Sequence, residues 1–150
     1  MLEIGSGPGY FSSEVVKRIP DGELILFDIQ WEMLAKSRAK LERTGLGNYR
    51  FVQGNAQELP FGASTFDVVF LVTVLGEVAN PEICPAGIEE ILRPGGVLSL
   101  TEQGGDPDAL TEIVLRRMGE SQGLNWVEVN KFRGGFTLNL KKEWNQDIVG

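Results

Sequence analysis

Apolar stretches alternate with amphipathic ones along the chain at the intervals of βα units. Met1–Ile4 reads as a strand that enters a glycine turn at Gly5–Gly9. Tyr10–Ile19 follows as a helix, stopped by Pro20 and Gly22. Within Glu23–Asp28 the residues Leu24, Ile25, Leu26 and Phe27 form an unbroken apolar run, which suits a parallel strand buried on both faces. Trp31–Arg43 reads as a helix ended by Thr44–Gly45, and Tyr49–Gln53 and Phe66–Val72 as further strands.

Asn80–Pro81 has the form of a cap with proline at the first helical position, and Pro85 delays the main helix, which runs to Leu92. Pro94–Gly95–Gly96 stops it, and Val97–Glu102 is predicted as the fifth strand. Asp106–Pro107 repeats the cap-and-proline signal and opens a helix to about Gln122, closed by Gly123. Trp126–Arg133 and Phe136–Lys142 flank Gly134–Gly135, a two-residue hairpin signal. In the second of these, Phe136, Leu138 and Leu140 alternate with Thr137, Asn139 and Lys141, the period of a strand. The expected fold is α/β, a Rossmann-like three-layer sandwich. Its seven-stranded, mostly parallel sheet ends in an antiparallel strand, because Gly134–Gly135 leaves no room for a parallel crossover. No repeat, low-complexity segment or linker divides the chain, so residues 1–150 are expected to form one domain.

Charge and composition narrow the function. The net charge is −7, from 14 Lys+Arg against 21 Asp+Glu, which disfavours nucleic acid and favours a small-molecule partner. Lys36, Arg38, Lys40 and Arg43 are a local basic group. Glu32 and Glu42 lie four residues from Lys36 and Arg38 and are expected to pair with them on a solvated helix face. Histidine is absent, which removes Ser-His-Asp and Cys-His catalysis and His-based zinc or iron sites. No metal site is expected. Cys84 is the one cysteine and no apolar run reaches about 18 residues, so a cytoplasmic protein without a membrane span is expected.

The first chemical motif is Glu3-Ile4-Gly5-Ser6-Gly7-Pro8-Gly9, between a strand and a helix. Glycines let the backbone turn tightly and approach a ligand, and a helix N-terminus favours anionic groups. The alternative is a plain glycine-rich turn. A dinucleotide fingerprint wants a further glycine where Tyr10 stands. Asp28 ends the second strand, where a carboxylate accepts hydrogen bonds from ribose hydroxyls; it could also be a helix cap.

Gly54-Asn55-Ala56, Leu59-Pro60-Phe61, Phe66-Asp67-Val68-Val69-Phe70 and Leu92-Arg93-Pro94-Gly95-Gly96 follow in order. With these the chain resembles the class I S-adenosylmethionine-dependent methyltransferases over nearly its whole length. It looks closest to the branch of ubiquinone and menaquinone biosynthesis C-methyltransferases. The resemblance implies S-adenosyl-L-methionine as cofactor. Glu3, Gly5, Gly7 and Gly9 would hold its methionine end, and Asp28 its ribose. Ile29 and Met33 would lie against the adenine, Asn55 would take the adenine amino group, and Ala56 would offer its backbone N–H. Leu71 would line the methionine pocket through its carbonyl; Ile29, Met33 and Leu71 are equally compatible with ordinary core.

Two departures stand out. Relatives often carry a His-His pair where this chain has Gly76-Glu77; Glu77 is the only titratable group there, either a surface carboxylate or a group that orients substrate. No catalytic residue is assigned. Family members also usually have helices before the first strand, whereas here it begins at Met1. That leads to the expectation of a cofactor site without its own N-terminal lid. Such a site would be covered by a second copy or a partner chain, and the chain alone would be weakly active; the alternative is that the tail Glu143–Gly150 or another loop folds back as a substitute lid. The function expected is methyl transfer to a small molecule, the alternative a cofactor-binding module with little activity of its own.

Overall fold

The computed structural model describes residues 1–144, so most of the tail Glu143–Gly150, weighed above as a substitute lid, lies outside the described residues. Seven strands make one sheet: β1 (Leu2–Ile4), β2 (Leu24–Asp28), β3 (Tyr49–Gln53), β4 (Phe66–Val72), β5 (Leu92–Gln103), β6 (Leu124–Phe132) and β7 (Gly135–Lys142). Their order is β3-β2-β1-β4-β5-β7-β6. Pairings among β1 to β5 are parallel, and β7 runs antiparallel to both β5 and β6. Gly134, at φ +88°, makes the tight reversal between β6 and β7 that only glycine adopts without strain. The helices are α1 (Ser12–Arg18), α2 (Trp31–Glu42), α3 (Cys84–Ile91) and α4 (Glu112–Glu120), with a 3₁₀ turn at Leu75–Glu77. None of the helices described is long and apolar enough to cross a membrane.

Alternation along the strands divides the core into two layers. Leu24 and Leu26 of β2 are buried with Val16 of α1 and with Leu34 and Leu41 of α2. Ile4, Phe27, Leu71, Leu98 and Leu100 point the other way, into a cluster with Ile88 and Ile91 of α3 and Leu115 of α4. Each such side chain, fully buried, stabilises the fold by about 1.5–3 kcal/mol before chain entropy is counted. Lys142 of β7 pairs with the Glu89 carboxylate at 3.0 Å and donates to its carbonyl at 2.7 Å, which fastens the last strand to α3.

The chain departs from the expected boundaries where local signals compete with sheet pairing. Pro94–Gly95–Gly96 does not separate α3 from β5: the strand already starts at Leu92, paired with Phe66, and the register slips before Val68 pairs with Val97. The irregularity absorbs the proline and the left-handed Gly95 (φ +80°). Asp106–Pro107 makes a turn instead of a helix start, with Asp106 Oδ1 accepting from the Asp108 N–H at 2.9 Å. The helix begins at Glu112, capped by Thr111, whose Oγ1 accepts from the Val114 N–H. The first helix starts only at Ser12, leaving Tyr10 and Phe11 in the turn after β1. On α2, Arg38 lies over the Phe51 ring and Lys40 over Tyr10, and among the described residues neither Lys36 nor Arg38 makes the ion pair expected with Glu32 and Glu42.

β1 touches β2 on one side and β4 on the other, so the strand order reverses there. Open α/β sheets bind ligands in the crevice beyond the strand ends at such a reversal.

Candidate cofactor-binding site

Beyond the C-terminal ends of β1, β2 and β4 lies a cavity of about 610 Å³, within the range of small-molecule sites. Its floor is made by Gly5, Ser6, Gly7 and Pro8 of the glycine turn. Gly5 and Ser6 donate their backbone N–H groups to the Phe27 carbonyl at 2.7 and 3.2 Å, and Gly9 donates to the Ser6 carbonyl at 3.1 Å. Each glycine has its own reason. Gly5 (φ +69°) sits against the Val74 side chain, which leaves no room for a β-carbon. Gly9 (φ +78°) lies 3.2 Å, measured from where a β-carbon would be, from the backbone of Ser37, so it sets how closely α2 approaches. Gly7 (φ +54°) faces open space with nothing within 4 Å. A backbone bared in this way is what a ligand needs for close approach.

Asp28 closes one side. It is 8% exposed; its Oδ2 accepts from the Gly7 N–H at 2.8 Å and its Oδ1 from the Gln30 N–H at 2.8 Å. The N-cap position of α2 belongs to Gln30, so Asp28 is not the helix cap. Each carboxylate oxygen keeps a lone pair for a hydroxyl donor. Asn55 Oδ1 accepts from the Gln57 N–H at 3.0 Å and likewise keeps an acceptor site. Gly54 allows this loop to lie on the Phe27 ring, where a β-carbon would come within 2.5 Å of the ring atoms.

Glu3 lies deeper, 3% exposed, and accepts a hydrogen bond from Ser12 Oγ at 2.6 Å. Burial pushes its carboxyl up to about 7; the Ser12 bond opposes that rise, and the Asp28 charge adds to it. Ser6 is 5% exposed and its Oγ is buried without any partner. Natural proteins rarely leave such a group unmatched, and one set in a cavity wall marks where a ligand atom belongs. Together the bare Gly7 backbone, the unmatched Ser6 hydroxyl and the carboxyls of Glu3 and Asp28 fit a nucleoside cofactor that carries hydroxyls and an ammonium group.

Of the residues singled out from the sequence, Glu3, Gly5, Gly7, Asp28, Ile29, Met33, Asn55 and Ala56 all line this cavity. Gly9 and Leu71 do not: Gly9 serves the packing of α2, and Leu71 is 1% exposed in the core. The wall expected of Leu71 is made by Val72, Thr73 and Val74, one to three residues further on. Thr73 holds φ +53°, a left-handed conformation that costs a β-branched residue energy and recurs at functional sites. It is fixed by its N–H, which donates to the Thr101 carbonyl at 2.8 Å. Sequence reasoning also passed over Tyr10 and Phe11 as lining residues, although their place beside the glycine turn was a usable signal. Among the lining residues there is no lysine or arginine.

This sheet, with its ligand crevice at the strand reversal, defines a Rossmann-like α/β protein built to hold a nucleotide-type cofactor. A family model described as a methyltransferase domain matches residues 1–141, and the chain belongs to that family. It is 36% identical over 104 residues to the ubiquinone/menaquinone biosynthesis C-methyltransferase UbiE of Idiomarina loihiensis, covering 68% of this chain and 41% of that protein. With the protein of the same name from Vibrio campbellii it shares 35% over 130 residues, 80% of this chain and 50% of the relative. The chain thus spans about two-fifths to one half of these relatives. Among solved structures it superposes on a SAM dependent methyltransferase from Aquifex aeolicus with a TM-score of 0.86 at 18% identity, over 93% of this chain and 80% of the other. It superposes equally, at 0.86 and 17% identity, on the [4+2]-cyclase SpnF, over 96% of this chain and 74% of that one. Likeness at such identities speaks for the fold. The cofactor implied by the family is S-adenosyl-L-methionine.

Proposed function

We propose that this chain transfers the methyl group of S-adenosylmethionine to a small-molecule acceptor. The observation that carries the reading is the glycine turn tied to Asp28: Gly7 donates to the carboxylate and faces open space, beside the unmatched hydroxyl of Ser6. In this reading Asp28 holds the ribose hydroxyls, Asn55 and Ala56 the adenine edge, and Ile29 and Met33 its faces. Glu3 holds the ammonium end, with Ser12 fixing its carboxyl. The cofactor supplies an activated methyl on a sulfonium, a reaction that needs no acid or base from the protein if the nucleophile is placed in line. Positioning alone can provide about 7–11 kcal/mol of such a barrier. A chain without histidine is suited to it.

The acidic net charge and the lack of any cation among the lining residues support a small molecule over nucleic acid. The relatives are named for quinone C-methylation, so a hydroquinone belongs among the acceptors tried. A cytoplasmic setting belongs to the reading, since Cys84 is a buried free thiol. The test is titration calorimetry of the intact chain with S-adenosylhomocysteine and, separately, NAD. Binding of the first and not the second is expected; a folded chain that binds neither would end this proposal.

A further inference from the structure

Among the described residues two that are not glycine hold a left-handed backbone, Ser64 at φ +54° and Thr73 at φ +53°. Ser64 stands in the turn before β4 and does not line the cavity; Thr73 does. Elsewhere the chain meets a positive φ with glycine, at eight positions, where no side chain crowds the backbone. A branched side chain is the costly choice for this conformation. The backbone at Thr73 does not call for it. Its N–H donates to the Thr101 carbonyl at 2.8 Å, a bond that glycine would make as well. What glycine could not supply is the hydroxyl, and strain of this kind is kept where a site makes use of it.

That hydroxyl is oriented. Oγ1 donates its single proton to the Val72 carbonyl at 2.8 Å. Its lone pairs remain as acceptors, and no described residue donates to them. In a cavity wall such an atom recognises an N–H or O–H group. The sheet shows which part of a ligand comes near it. β1 lies between β2 and β4, with Ile4 opposite Phe27 on one side and Leu71 on the other. Asp28 follows Phe27, and Thr73 stands two residues after Leu71, so the two flank the glycine turn from opposite sides. The Val74 side chain then rests on Gly5. In the cofactor reading Asp28 holds the ribose and Glu3 the ammonium end, and the sulfonium joins the two. Its adenine contacts, Ile29, Met33, Asn55 and Ala56, all come after β2 and β3. The side walled by Thr73 is the one they leave open.

We propose that Thr73 positions the methyl acceptor, its Oγ1 taking a hydrogen bond from an N–H or O–H group of the acceptor beside the reacting methyl. This rests on reading the cavity as the S-adenosylmethionine site.

Thr73 moves no proton in this role. Its own is held by Val72, and what it supplies is orientation. Orientation matters here because displacing a nucleophile by about 1 Å from a productive approach can cost 10²-fold in rate. The strained backbone serves the same end. Tied by its N–H to Thr101 and by its hydroxyl to Val72, the residue has one place for Oγ1 before any ligand arrives. The acceptors that fit are hydrogen-bond donors: amines, alcohols and phenols. An ether finds nothing to accept from at Thr73, and an anion meets no lysine or arginine in the wall.

The test is calorimetry on the intact chain with two probes. S-adenosylhomocysteine has no methyl and reports the cofactor site alone. Sinefungin carries a CH–NH3+ group in place of the sulfonium and its methyl, so its N–H groups face the side from which the acceptor comes. Thr73→Val keeps the branched shape and loses the hydroxyl. Expected is a loss of sinefungin affinity of at least about tenfold, with S-adenosylhomocysteine affinity held. Thr73→Ser restores sinefungin binding. Thr73→Gly loses it as Thr73→Val does, while its urea midpoint stays level or rises because the strain is gone. Since glycine suits this backbone, the outcome does not hang on how well Thr73→Val folds. Equal losses for both probes in Thr73→Val and Thr73→Gly put the hydroxyl at the cofactor's own ammonium end and overturn the proposal. So do unchanged affinities in both variants, a Thr73→Ser chain no better than Thr73→Val, or a Thr73→Gly chain less stable than the parent. In each of these cases the cofactor reading stands. Failure of the folded parent to bind S-adenosylhomocysteine overturns both.

Discussion

The carboxylate of Asp28 holds the backbone of Gly7: Oδ2 accepts the Gly7 N–H at 2.8 Å across 21 residues of chain. The bond exists because β1 and β2 lie side by side in parallel, with Ile4 opposite Phe27, so both strand ends release their loops at one edge. It couples the piece that would meet ribose with the piece that would meet the methionine end. Neither can shift without the other.

From this coupling, Asp28→Ala removes an acceptor for ribose and also frees the Gly7 and Gln30 amides. Losing hydrogen bonds to a charged group costs about 1.5–3 kcal/mol, so affinity for S-adenosylhomocysteine drops at least about tenfold. Asp28→Asn keeps one acceptor oxygen and falls between. Calorimetry on the three proteins checks the order, and equal affinities would contradict the assignment.

The glycines of the turn should separate into two kinds. Gly7→Ala carries only the penalty of a left-handed backbone, about 1–2 kcal/mol, because its β-carbon meets nothing in the folded chain. Gly7 lines the cavity, so a ligand lying against its backbone would meet that methyl, and cofactor affinity is expected to fall far more than stability. Gly5→Ala adds a collision with Val74 to the same backbone penalty and costs more stability than Gly7→Ala. Urea melts paired with binding titrations distinguish them; a Gly7→Ala protein that binds normally would show that the ligand does not cross that backbone.

The hairpin was legible in the sequence because its signal is local. Gly134–Gly135 announces the reversal, which the structure places one residue earlier, at Arg133–Gly134 between the paired Phe132 and Gly135, and the period of Phe136, Leu138 and Leu140 reports its own strand. The start of β5 was not. Pro94–Gly95–Gly96 reads as punctuation, and only the neighbouring β4 carries a strand through it with a slipped register. The site shows the same division. Asp28 and the glycines announce themselves by motif, whereas the wall at Val72–Val74 is placed by pairing of β4 with β1 and β5. Nothing local in a threonine foretells φ +53° at Thr73. Glu102 could have been found: it continues the every-second-residue row of Leu98 and Leu100, and a carboxyl in a buried row is a flag.

Gly119 provides a test of packing in which helix propensity and sterics disagree. Within a helix, glycine to alanine normally gains about 0.5–1 kcal/mol. Here the added β-carbon would land on Leu140 Cδ1 of β7, and both residues are buried. Gly119→Ala is therefore expected to destabilise the chain by about 1–3 kcal/mol. Leu140→Val in the same protein should restore part of it, a coupling that simple additivity lacks. A Gly119→Ala protein more stable than the parent would mean that α4 sits further from the sheet.

The last prediction concerns pH, through Glu3 and Glu102, whose carboxyls burial raises from 4.5 to about 7. A raised carboxyl pKa means that the folded chain binds more protons than the unfolded chain between those two values. Stability therefore falls as pH climbs through that window, by at most about 1.4 kcal/mol per pH unit for each group. The contribution is complete below about 4.5, where both states are protonated, and spent above about 7, where both are ionised. Glu3→Gln keeps an oxygen for the Ser12 hydroxyl but cannot ionise, so its stability curve should slope less over this range. The ligand reverses the preference at Glu3. An ammonium group beside the carboxyl favours its charged form, so binding of S-adenosylhomocysteine near pH 6 should release a proton and tighten as pH rises. Urea unfolding at intervals from pH 5 to 8 measures the first effect. Calorimetry in two buffers of different ionisation enthalpy measures the second. Proton release that persists undiminished in Glu3→Gln would place the ammonium end of the ligand against some other group.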